Sequence, residues 1–143
     1  MALPLPVFPR RVRLLAVAIV CGIIFYFSVL VIPPETGAPD SLELPTARHL
    51  LAYFVLGLSV AYALTDRSLS RRRKALLVFV LATAYGAGIE VAQGFVPERH
   101  MTLVDGFVNA AAITASLGWY LIEPYFDQVK IPKAITKRRR TEQ

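Results

Sequence analysis

The sequence predicts an all-α membrane protein, a bundle of four transmembrane helices with short connections and both termini in the cytoplasm. Three observations predict it. Hydrophobic residues make up 55% of the 143 positions and mean hydropathy is +0.51, an excess that long apolar runs produce. Those runs form four blocks, each near the roughly 20 residues that cross a bilayer at about 1.5 Å per residue. Of the 16 Lys and Arg, all except Arg48 and Arg99 lie in the leader, the second connection or the tail. The positive-inside rule therefore puts those three segments in the cytoplasm.

The elements follow in order within a single domain over residues 1–143. The first span covers about 14–32, behind a leader with Arg10, Arg11 and Arg13, and stops at Pro33-Pro34. A basic leader before an apolar run also fits a signal peptide. This run is long for one, and no small-x-small cleavage site follows it, which favours a retained anchor. A Pro-rich, acidic connection to Pro45 then faces outward. The second span covers about 46–64 and is the weakest, since only Leu50–Leu64 is continuously free of charge. A connection with Arg67, Arg71, Arg72, Arg73 and Lys74 leads into the third span, about 75–96, which ends at Pro97. The fourth covers about 103–122, before Pro124, and a basic tail occupies 128–143. Basic residues beside a span set topology and touch anionic headgroups, so the charge calls for no nucleic acid. The lone Cys21 excludes a disulfide or a Cys-based metal site within one chain.

Three of these spans carry polar groups at their outer ends. His49 and Tyr53 lie one turn apart on the second span, and Gly57 and Ala61 continue their face. On the third, Glu90 and Gln93 share a face with Gly86; on the fourth, Asp105, Asn109, Ala112 and Ser116 form one stripe. By helical rise, Glu90, Asn109 and Tyr53 lie roughly 10 Å below the outer ends, and Gln93, Asp105 and His49 roughly 5 Å. Arg99 sits at the mouth. Ionisable groups at membrane depth are costly and mark function by default.

The chemistry suits a polar headgroup. Glu90 in a low dielectric can donate or accept a proton, with Tyr53 and Asn109 near it. Asp105 can orient His49 or stabilise its charged form. Arg99 can hold phosphate or carboxylate in a fork, or pair with Asp105. Each residue also has a plainer role. Thr102-x-x-Asp105 reads as a capping box, Glu90 as a partner of Arg99 or His49, and Tyr53 as an interfacial aromatic. His49 also fits an ordinary interface histidine, and Gln93 and Asn109 fit interhelical hydrogen bonds. No H-E-x-x-H pair, G-x-S-x-G elbow or Walker loop is present. A metal site from His49, Glu90, His100 and Asp105 has no helical ligand spacing to support it. No metal or cofactor is expected.

At these residues the chain resembles the VanZ-like family of membrane proteins. The first matching element is His49-Leu-Leu-Ala-Tyr53, and the second runs from Glu90-Val-Ala-Gln93 through Phe95 and Pro97 to Arg99. The third is Thr102-Leu-Val-Asp105-Gly-Phe-Val-Asn109. The resemblance covers about 45–119. It departs where the family has Asp-Lys before the His and this chain has Pro45-Thr46, and where Ala112 and Ser116 replace a Gly after the Asn.

The resemblance implies an integral membrane protein of the cell envelope that binds or acts on envelope precursors or lipids. The family's namesake is associated with resistance to teicoplanin-type glycopeptides. Two other functions stay open. One is an enzyme on an outer-leaflet lipid headgroup, with Glu90 as acid/base, Asp105 and His49 in support, and Tyr53, Gln93, Arg99 and Asn109 binding. The other is a structural subunit whose polar cluster only locks helices together. The expected partners are membrane lipids and a lipid-linked or anionic precursor.

Overall fold

The computed structural model describes residues 3–31, 43–97 and 103–130. They form β1 (Leu3–Val7), α1 (Arg10–Phe25), a π-helical turn (Tyr26–Leu30), α2 (Glu43–Ala63), α3 (Arg71–Gln93), α4 (Leu103–Ser116), α5 (Trp119–Ile122), a 3-10 turn (Glu123–Tyr125) and β2 (Phe126–Lys130). The protein is thus mostly helical. Two helical segments are long and apolar enough to cross a membrane, Arg10–Leu30 with 21 residues and Arg71–Gln93 with 23. Neither is a buried core helix, because most of each lies on the outside of the bundle. On α1 and its π turn, Leu15, Ile19, Ile23 and Phe27 all face outward. An apolar surface this continuous needs an apolar surrounding.

The boundaries differ from the sequence expectation in physically clear ways. The first helix starts at Arg10 behind Pro9, not near residue 14, because Arg13 is folded into the packing at 1% exposure. Near its other end Val31 N–H bonds to Tyr26 O at 3.0 Å, the five-residue step of a π turn. The third helix starts earlier, at Arg71. Ser70 caps it, its hydroxyl accepting from Arg73 N–H.

The fourth expected span is not one helix. α4 stops at Ser116, and α5 resumes at Trp119 after Leu117–Gly118. Thr114 and Ser116 hydroxyls bond back to Ala110 O at 2.8 Å and Ile113 O at 2.6 Å. Leu117 and Gly118 N–H groups take three-residue bonds to Thr114 and Ala115 carbonyls. Such back-bonding competes with the α ladder and tightens its last turn. The 14 residues of α4 span only about 21 Å.

The core gathers Tyr53, Leu56 and Val60 of α2, Val78, Ala82 and Ile89 of α3, and Ala112 and Ile113 of α4. α2 packs most extensively on α4. Gly57 makes this possible, since a Cβ there would overlap Ser116 Oγ. The small residues of the two stripes thus let the backbones approach.

β1 and β2 pair in parallel, from Leu3 beside Phe126 to Val7 beside Lys130. The sequence alone marks only a leader and a basic tail here. Pro4 and Pro6 alternate along β1, and Pro6 O and Phe8 N–H both meet the Tyr62 hydroxyl, at 2.7 and 3.1 Å. Those groups point to the edge away from β2, so the prolines cost the ladder no donor. The pair brings both ends of the described chain to the end of the bundle that holds the Arg67–Lys74 connection.

Candidate functional site

The polar residues of α2, α3 and α4 meet at the opposite end. Asn109, 3% exposed, joins three helices. Its Nδ2 donates to Glu90 Oε1 at 3.5 Å, and its Oδ1 lies 3.1 Å from His49 Nδ1. With the amide NH2 turned to Glu90, the oxygen accepts from His49 Nδ1–H. A polar chain His49–Asn109–Glu90 therefore crosses from α2 through α4 to α3. Glu90 is 5% exposed and His49 is half-buried.

Tyr53 lies beneath His49. Their rings stack at 6.2 Å with 6° between planes. Tyr53 is 1% exposed, and its hydroxyl has no hydrogen-bond partner among the described residues. Glu90 and Asp105 carboxylates both lie within electrostatic reach of it. Gly86 makes room for the ring, since a Cβ there would sit 3.0 Å from Tyr53 Cε1. A buried hydroxyl with no acceptor is costly. A ligand oxygen delivered to this level would relieve that.

The structure separates the expected site residues. His49, Tyr53, Glu90 and Asn109 come together, with Asp105 half-buried one turn before Asn109. His49 meets Asn109, where the sequence suggests Asp105. Gln93 turns toward α1: its Nε2 donates to Ser28 O at 3.0 Å, within the π turn. That bond fastens α3 to the π turn that follows α1. Arg99, His100 and Thr102 lie outside the described residues. Among the described residues no group of three His, Cys, Asp or Glu is placed to hold a metal ion.

A second polar centre, at the basic end, escapes sequence reasoning. Arg13 donates from Nε to Phe8 O at 3.0 Å and from Nη1 to Tyr62 O at 2.9 Å and Ala63 O at 3.3 Å. Its Nη2 pairs with Asp66 Oδ2 at 2.6 Å. Lys74, also buried, donates to Thr65 O at 2.9 Å. The two cations thus satisfy carbonyls at and just beyond the end of α2, where a helix leaves them unpaired and its dipole is negative. The hydrogen bond from Arg13 holds the Asp66 carboxyl below the usual carboxylate range. In the sequence Arg13 and Lys74 look like topology-setting charges alone. Asp66, the only acid in a basic connection, is the one signal of an ion pair there.

No protein-family model, curated protein or solved structure matches the chain.

Proposed function

We propose that the chain is a four-span protein of the cell membrane, both termini cytoplasmic, whose outward pocket between α2, α3 and α4 binds the polar headgroup of an envelope lipid or lipid-linked precursor. The observation that carries this reading is the His49–Asn109–Glu90 chain beside the buried Tyr53 hydroxyl. Polar groups this deep in an apolar bundle are expensive. Here they converge from three helices on one place, and one hydroxyl there has no acceptor among the described residues. The basic leader and second connection, together with the β1–β2 pairing that brings both ends of the described chain together, support the orientation. The resemblance of His49–Tyr53, Glu90–Arg99 and Thr102–Asn109 to the VanZ-like pattern supports an envelope role, in which His49, Tyr53, Glu90, Asp105 and Asn109 contact the ligand and Arg99 meets its anion.

A second reading has its own observation. Gln93 binds Ser28 O and so joins helices without any ligand, which is what a purely structural cluster would do throughout. Glu90→Gln, His49→Ala and Asp105→Asn separate the two. We expect each variant to reach wild-type abundance in the membrane while binding of a labelled outer-leaflet lipid extract to the purified protein falls at least about tenfold, the loss of one charged hydrogen bond. Variants that disappear from the membrane would support the structural reading. A labelled headgroup released by wild type and not by Glu90→Gln would turn binding into catalysis.

A further inference from the structure

A groove at the basic end has no role in the outward pocket. It encloses about 310 Å³ between α1, α2 and α3, at the lower bound of ligand sites, about 300–1,000 Å³. Leu14, Val17 and Cys21 line it from α1, and Leu56 and Val60 from α2. Tyr85 closes the deep end, where its hydroxyl is already bonded to Cys21 O at 2.6 Å. Below the mouth the walls are therefore apolar. Arg10 and Arg67 line the mouth. Both are exposed, and neither has an ion-pair partner among the described residues. Asp66, the acid beside Arg67, is held by Arg13. Among the described residues, no acid lines the groove.

Its length gives the occupant's size. From Arg10 to Cys21 on α1 the helical rise is about 16 Å, and on the other wall Arg67 lies just beyond the end of α2. That matches one leaflet of a hydrocarbon core about 30 Å thick. We infer that the groove between α1, α2 and α3 seats one acyl chain of an anionic phospholipid from the leaflet at the basic end, with its phosphate between Arg10 and Arg67. The pair of guanidinium groups selects the charge, and the apolar walls take the chain. This inference rests on the membrane reading above and not on the outward pocket.

The test uses detergent-purified full-length protein titrated with dioleoylphosphatidylglycerol or dioleoylphosphatidylcholine, with bound lipids counted by native mass spectrometry. One phosphatidylglycerol is expected to stay bound in preference to phosphatidylcholine. In Arg10→Gln/Arg67→Gln that preference falls about 25-fold, from roughly fivefold per arginine near the membrane surface. Both side chains are exposed, so the fold survives, which circular dichroism checks. Cys21→Phe, which fills the groove, weakens retention of both lipids. Equal preference in wild type and the double-arginine variant overturns the inference, as does the absence of one-to-one retention. Protein that stays in the membrane on alkaline extraction but retains no lipid overturns the groove alone. Protein released by that extraction overturns the membrane reading with it.

Discussion

Arg13 carries the end of α2. Its guanidinium meets three carbonyls and one carboxylate while fully buried, and its Cζ lies 5.8 Å from the Tyr62 ring centre. Arg13→Met would strand those acceptors, so we expect a loss of about 3 kcal/mol, the upper range for a hydrogen bond to a charged group, read as a lower Tm in detergent. Arg13→Lys should recover little of it, because an ammonium cannot reproduce the fork. Asp66 gives a pH dependence. Its folded-state pKa is depressed, chiefly by the Arg13 hydrogen bond. The stability it adds is therefore present above the unfolded value of about 3.9 and fades as pH falls through the lower folded value. Asp66→Asn should remove that acid-side loss, so Tm measured from pH 5 downward falls less steeply than in wild type. Apart from Asp66, a lone acid in a basic connection, none of this is legible in the sequence. An arginine at the start of an apolar helix looks the same whether it faces headgroups or folds inward, and only the position of Tyr62–Asp66 decides. The residues of the polar pocket are legible, because polar side chains stepping along a small-residue stripe of an apolar helix face a neighbouring helix. Asn109 stands out for that reason, whereas the turn of Gln93 toward Ser28 depends on a π turn that no residue pattern announces.

At the level of elements, close approach governs the α2–α4 pair. Gly57→Ala places a methyl on Ser116, and overpacking of that kind costs about 1–3 kcal/mol. Ser116→Gly in the same chain should return most of the loss, a coupling that a double-mutant cycle on thermal unfolding measures. Gly22 supplies the control. A Cβ there meets nothing within 4 Å, so Gly22→Ala should leave Tm unchanged or raise it slightly. The apolar runs make α1, α2 and α3 readable to within a few residues. They conceal the break after Ser116, because Ser and Thr pass as small helical residues until their hydroxyls bond the preceding turn. The strands are hidden in a different way. Leu-Pro-Leu-Pro-Val reads as a loop by itself, and its partner lies at the far end of the chain, beyond any local pattern.

For the whole molecule, orientation is the property that decides what the polar pocket can meet. In a Cys21→Ser background, Asp40→Cys should react with an impermeant thiol reagent added to intact cells, and Ser70→Cys only after permeabilisation. The reverse result would move the His49–Asn109–Glu90 chain to the cytoplasm and remove an outer-leaflet ligand. The β1–β2 pair also acts at this scale, since it ties the beginning of the described chain to its end. Its consequence is one of timing. At about 5–20 residues per second of synthesis, β1 leaves the ribosome on the order of 10 s before β2 exists. Once Tyr62 has been made, about midway through that interval, Pro6 O and Phe8 N–H can find it, but the ladder edge of β1 stays open. The clasp closes only after every described helix has been made, so its closure is a seal set by the last of the described segments to arrive.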